Sequence, residues 1–178
     1  YGGSRLMASK IKVDQIQTID GTGTIALQNQ LSGMTSASMP TGSVLQVVSN
    51  TLTSGGTTTS STMAALGLSQ AITPSSTSSK VYVTVTGGNA KTGDDIGTIF
   101  TIYRGSTDLK TGGDGMVVLY TASAGVTGLG WSMQKLDSPS TASAVTYSVY
   151  WRTRDNGNTS ANHWLGGETT ITLMEIAG

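Results

Sequence analysis

The chain has 178 residues, and its ten basic and ten acidic side chains cancel to zero formal charge. Serine and threonine number 52 and glycine 24, against 36 for leucine, isoleucine, valine and phenylalanine together, which points to β-structure with many reversals and away from a helical protein. Scattered basic residues give no positive face for nucleic acid, no apolar run nears the roughly 20 residues of a membrane-spanning helix, and the lack of cysteine removes disulfides and thiolate sites.

The opening YGGSRLMASKIK contains no apolar core of the kind a signal peptide needs. Met7, followed by Ala8-Ser9-Lys10, looks like a translation start, which makes Tyr1 to Leu6 either a cloning remnant or coding sequence from an earlier start. Ile11 and Val13 alternate with polar residues, Ile16 and Ile19 follow, and Ile25 and Leu27 alternate again after Asp20-Gly21-Thr22-Gly23. Period two on both sides of an Asp-Gly signal predicts two short strands joined by a tight reversal. A lone two-stranded hairpin is marginal in water. Ile11, Val13, Ile16, Ile19, Ile25 and Leu27 are therefore expected to form an intertwined stalk in which identical chains cover one another; an edge hairpin of a monomeric domain is the alternative. On this reading residues 1–30 are an attachment and assembly segment, 31–41 a linker and 42–178 a C-terminal head.

Within the head, GSVLQVVSN reads as a strand and Thr53 to Ser61 as a glycine- and hydroxyl-rich loop. MAALGLSQAIT leads into the turn Pro74 to Ser79, and a short helical turn competes with a strand there. In KVYVTVT, Val81, Val83 and Val85 share one face and Tyr82 and Thr84 the other. Runs at GTIFTIYRG, MVVLYTA, GLGWSMQKLD, AVTYSVYWRT and ETTITLMEIAG follow, separated by turn chemistry at Arg104-Gly105-Ser106, Thr111 to Gly115, Asp137 to Ser140 and the polar loop RDNGNTSANHWLGG. About eight strands so spaced predict a sandwich or jelly roll, because a parallel α/β sheet needs helical patterns between strands. Parity places Tyr147 and Trp151 with Val145 and Val149, and Trp131 with Met133, on inward faces, and puts Glu175 on one face with Ile171 and Leu173.

Motifs for chemistry are sparse. One histidine and no cysteine exclude a structural zinc site. His163 sits in a polar loop where an exposed ring is expected, and no Gly-x-Ser-x-Gly elbow accompanies it. Asp94 and Asp95 are adjacent, so they do not define the separated pair that glycoside hydrolysis needs, and no Asp-x-Asp-x-Asp-Gly loop binds calcium. The GTGT and GGDG strings lack the Lys-Ser/Thr and helix of a phosphate loop. Catalytic, metal and cofactor residues are thus expected to be none. Glu175 is expected at a solvated strand end or paired with a lysine or arginine. Trp164, flanked by Asn162 and His163, suits stacking against a sugar, although a loop tryptophan also commonly caps a core.

SKIKVDQIQTIDGTGTIALQN resembles the N-terminal segment of tail-fibre and other virion appendage proteins of marine, especially cyanobacterial, bacteriophages. PTGSVLQVVS, ITPSSTSSKVYVTV, KLDSPSTASAVTYSVYW and ITLMEIAG match a companion pattern in the same order. The resemblance implies an all-β homotrimer, with a short N-terminal intertwined β-hairpin stalk that docks on other virion proteins and a jelly-roll-like β-sandwich knob similar to complement and tumour-necrosis-factor-like heads. It implies no catalytic residues. The function expected is a non-enzymatic virion protein, a tail fibre, spike or knob giving multivalent recognition of a host-surface glycan or protein. Its contacts would lie at Trp164, His163, Asn162 and the stretch Gly87 to Asp95, which includes Asn89, Asp94 and Asp95. The rivals are a purely structural capsid decoration or tail adaptor, and a glycan depolymerase at a subunit seam.

Overall fold

The computed structural model describes residues 39–93, 96–120, 126–154, 160–163 and 166–178. The expected stalk, including Ile11, Val13, Ile16, Ile19, Ile25 and Leu27, and most of the linker lie outside them, as do Asp94, Asp95 and Trp164.

The described chain is all-β. Eleven strands follow in order: β1 (Val44–Leu52), β2 (Gly56–Thr58), β3 (Ala64–Ile72), β4 (Lys80–Gly93), β5 (Gly97–Arg104), β6 (Thr107–Asp108), β7 (Val117–Tyr120), β8 (Val126–Asp137), β9 (Val145–Thr153), β10 (Ser160–Asn162) and β11 (Thr169–Ile176). They form two antiparallel sheets. The first runs β1-β11-β4-β10-β2, with β8 also paired to β4; the second runs β3-β9-β5-β6, with β7 also paired to β5.

The sheets face each other across one core. Val81, Val83, Val85, Trp131, Met133, Ile171 and Leu173 from the first sheet meet Leu68, Ile72, Phe100, Ile102, Tyr147, Val149 and Trp151 from the second. Alternation along each strand produces this arrangement, since side chains two apart fall on one face. The Phe100 ring stacks on the Trp131 indole with centroids 3.9 Å apart, crossing the space between the sheets. This β-sandwich-like core carries the inward parities expected from the sequence.

Several local expectations are corrected. The segment where a helical turn competed is strand β3, paired along β9 from Ala64↔Trp151 to Ile72↔Val145. The loop expected over Thr53 to Ser61 contains β2, and the polar loop after β9 contains β10; both are three-residue strands held by pairing with each other. The stretch from Gly87 to Gly93, expected to be a contact loop, is the continuation of β4. Its register against β8 shifts between Gly87 and Ala90, a bulge that lets the strand carry two glycines and Asn89 without ending. The bulge has a packing cause: the Trp131 indole lies where a Cβ on Gly87 would stand, and a Cβ on Gly88 would come within 2.9 Å of the Glu168 backbone nitrogen.

Candidate functional site

The ends of β4, β7 and β9 and the starts of β5, β8 and β11 lie at one end of the sandwich, with β10 beside them. Gly97 pairs with Tyr120, Thr98 with Thr153, and Asn162 with Ala90 there. Chain crossings at this end are packed backbone to backbone. Gly88 N donates to Glu168 O at 2.7 Å, and a Cβ on Gly167 would stand 2.9 Å from Asn89 N. Glycine is the residue that allows main chains to approach this closely.

The contact residues expected from the sequence fare differently here. Asn89 is half-buried on β4. Asn162 is buried at 3% exposure, and His163 at 7%. The expectation of an exposed His163 ring is therefore corrected. Its Nε2 shares a hydrogen with Thr169 Oγ1 at 2.8 Å, six residues on, and this turns the imidazole inward. His163 also holds the left-handed backbone conformation (φ 51°), followed by Gly166 N donating to His163 O. A non-glycine residue in that region stores strain, a feature that collects at functional loops. Neither Asn162 Oδ1 nor His163 Nδ1 has a hydrogen-bond partner among the described residues, although both are buried.

On the second sheet, the same end carries two side chains that the sequence reading missed. Tyr120 is 43% exposed, and the Arg154 guanidinium lies 4.5 Å over its ring. Parity along Val118 and Tyr120 was the available signal, since both alternate outward on β7. A paired guanidinium and phenol present hydrogen-bond donors and an aromatic face together, which suits a polyol or a carbonyl-rich surface.

Other ionisable groups serve the fold. Asp137 is buried and accepts from Arg104 Nη1 and Tyr147 OH, each at 2.7 Å. Burial, the hydrogen bond and the Asp137 charge together push the Tyr147 hydroxyl well above the ordinary tyrosine range, with Arg104 opposing. Glu175 is 1% exposed, and neither a solvated strand end nor a cationic partner describes it. Instead Oε1 accepts from Ser75 N and Ser75 Oγ, both 2.7 Å, and Oε2 from Gln46 Nε2 at 2.6 Å. Burial raises its pKa, but hydrogen bonds from the Ser75 hydroxyl, Gln46 and the Ser75 amide outweigh that and hold it below the usual carboxylate value. Asp108 accepts from Thr101 Oγ1 and Lys110 N, and Asp114 pairs with Arg152 at 3.2 Å. These carboxylates are thus engaged as acceptors. No group of three or more histidine, cysteine, aspartate or glutamate residues among the described residues could hold a metal ion.

No protein-family model and no curated protein matches this chain. The site therefore stands on its own geometry: a glycine-packed end with polar and aromatic side chains, where the hydroxyl held against the imidazole, Thr169 against His163, is fully buried.

Proposed function

We propose that the protein is a non-enzymatic bacteriophage virion protein, a homotrimeric fibre tip, spike or knob that recognises a host-surface glycan or protein in several copies at once. Residues 1–30 would supply the intertwined β stalk and the attachment to other virion proteins, and the head would adopt a jelly-roll-like arrangement with its loop end outward. The supporting observation is the concentration of strand ends at one end of a two-sheet frame, where Tyr120 and Arg154 are exposed and Asn89, Asn162 and His163 lie close by. Frames of this kind position binding residues on loops. Three weak copies at one tip bind tightly through effective concentration, so no single copy needs a deep pocket.

The burial of Asn162 and His163 favours a second reading, a purely structural decoration or adaptor, because it removes two expected contacts from the surface. A pull-down on host-cell envelopes decides between them. Retention on envelopes that falls when Trp164 or Arg154 is replaced by alanine supports recognition; no retention by the assembled protein overturns it in favour of the structural role.

A further inference from the structure

The loop from β6 to β7 has both feet on β5. Leu109 N donates to Ile102 O at 2.9 Å, and Met116 N to Phe100 O at 2.8 Å. Between them Gly115 lies so close to β5 that a Cβ there would run into the Ile99 side chain and the Phe100 carbonyl. Gly113 takes the left-handed conformation at φ 70°. The run Lys110-Thr111-Gly112-Gly113-Asp114-Gly115 is thereby held as a glycine arch facing β8, a border strand that pairs with β4 alone among the described strands. A hollow of about 310 Å³ separates arch from strand, a volume at the small end of the range for small-molecule sites. Lys110, Thr111, Gly112 and Gly115 line one side of it, and Gln134 and Lys135 the other.

The polar groups on this wall are donors. Gln134 Oε1 already accepts from Tyr82 OH at 2.6 Å, which leaves the amide NH2 as the group with capacity to bind. Lys135 follows the inward parity of Met133 and Asp137, is half-buried, and forms no ion pair among the described residues. Lys110 Nζ stands 3.6 Å from Asp108 Oδ2, longer than a hydrogen-bonded ion pair, while Asp108 Oδ1 is taken by Thr101 Oγ1 and Lys110 N. Among the described residues no carboxylate lines the hollow. The arch's own, Asp114, is held by Arg152 at 3.2 Å, and Asp137, two residues beyond Lys135, is held by Arg104 at 2.7 Å. Set against Asp108, Asp114 and Asp137 are Lys110, Arg152, Arg104 and Lys135, so one positive charge is left over, and it stands on the wall.

We infer that this hollow is a binding site for an oxyanion, a carboxylate, sulfate or phosphate group held between Lys110 and Lys135 with the Gln134 amide and the Thr111 hydroxyl completing its hydrogen bonds. Charge selects the ligand class. A cation is repelled by two ammonium groups, and a neutral ligand forgoes the charge-assisted hydrogen bonds that are the strongest available there. The backbone assists, since turns with a left-handed residue gather successive N–H groups into concavities that anions occupy. The GGDG string has no phosphate-loop lysine after it in sequence, and the fold supplies one from β8 instead. Leu109 and Met116 complete the wall with apolar surface, so the anionic group fits either as a free inorganic ion or as the charged group of an acidic sugar. Lys135 pairs with Val83, well down β4 from the loop end. The site is therefore separate from the recognition surface proposed above and does not depend on the assembly.

The test follows the isotope-labelled full chain by NMR while inorganic phosphate, D-glucuronate and neutral D-glucose are titrated separately. Lys135→Gln and Lys110→Gln are compared with wild type, with Lys80→Gln, on β4 outside the hollow, as control. The expected result is saturable shifts of the Gln134 side-chain NH2 and of the Thr111 to Gly115 amides with phosphate and glucuronate, and none with glucose. Each of the two lysine variants at the hollow should weaken anion binding by at least about tenfold while the control binds as wild type does. Their melting temperatures should stay within about 2 °C of wild type, as for other surface substitutions. Tighter binding of phosphate assigns the site to a free inorganic oxyanion, and tighter binding of glucuronate to an acidic sugar. The site is overturned by the lack of saturable shifts at these groups with both anions up to about 50 mM. It is overturned equally by a response to glucose matching that to glucuronate, or by glutamine variants that bind phosphate as wild type does.

Discussion

Replacing Glu175 by glutamine changes one atom in the core and separates charge from shape. The carboxylate accepts three hydrogen bonds, two at Oε1 from Ser75 and one at Oε2 from Gln46 Nε2, and that same Gln46 nitrogen also donates to Thr73 O at 2.7 Å. In Glu175→Gln the Ser75 bonds can persist on the amide oxygen, but the new NH2 meets the Gln46 NH2. Gln46 must then flip and lose Thr73, or leave one buried donor unpaired. The cost is about that of one hydrogen bond to a charged group, roughly 1.5–3 kcal/mol, or a melting temperature lower by roughly 3–12 °C for a chain of this size. The pH dependence gives an independent check. The folded pKa lies below the unfolded one, so the stabilisation is complete above the unfolded value of about 4.3 and is lost as the pH falls through the folded value. Thermal unfolding followed by circular dichroism from pH 7 to pH 3 should show the gap between wild type and Glu175→Gln narrowing on the acid side. A variant that melts with wild type at pH 7, or a gap that stays constant down to pH 3, refutes the assignment.

Tyr147→Phe deletes the hydroxyl bonded to buried Asp137 and should cost about 1–3 kcal/mol at neutral pH in urea titrations. Because the folded pKa of Tyr147 is raised, its contribution is complete below about pH 10 and is lost as the pH climbs above that; the alkaline decline should be shallower in Tyr147→Phe, and equal slopes would exclude this role. Gly87→Ala puts a methyl group into the Trp131 indole and should cost about 1–3 kcal/mol or more by overpacking. Combined with Trp131→Leu, the two should cost less than their sum, and additivity within about 0.5 kcal/mol would show that the indole is not the obstacle. Removing residues 1–30 should leave the sandwich folded but lower the mass measured by light scattering, and an unchanged mass contradicts the stalk. Trp164→Ala should weaken host-envelope retention while shifting the melting temperature by less than about 2 °C, the scale of a surface substitution; a large loss of stability places the indole in packing instead.

Strand parity was the part of the fold most open to reading, because period two needs only the local run. Val81, Val83 and Val85, or Val145, Tyr147, Val149 and Trp151, declare their inward face without knowledge of the partner sheet. The short strands were hidden for the opposite reason. Gly56-Thr57-Thr58 and Ser160-Ala161-Asn162 have no apolar signature and exist as strands through their pairing with each other, about a hundred residues apart. Gly87-Gly88 looked like a strand's end, since glycine weakens strands. Here the Trp131 side chain and the Glu168 backbone require it, and both lie far along the chain. Glu175 posed the same problem: its partners in the Ser75 turn are 100 residues away, and neutral donors leave no charge pattern to find. Tyr120 with Arg154 could have been proposed from outward parity on β7, but only the folded chain brings the guanidinium over the ring.

Both ends of the sandwich bury polar groups, and what they bury bears on which end recognises a partner. Around the turns opposite the loop end, Glu175 and Asp137 are buried with their acceptor oxygens met by Ser75, Gln46, Arg104 and Tyr147. Losing any one donor strands a buried charge, so this end tolerates little rearrangement. At the loop end, Asn162 Oδ1 and His163 Nδ1 are buried without partners among the described residues, and His163 holds a left-handed backbone. The opposite end has such features too, since Ser79 Oγ is buried without a partner among the described residues and Ser140 is left-handed at φ 54°. What separates the ends is that rearrangement opposite the loops strands a buried carboxylate, so a contact that must adapt to a host surface belongs at the loop end. Substitutions at Arg154 or Trp164 should therefore weaken envelope binding without changing the mass of the assembly measured by light scattering.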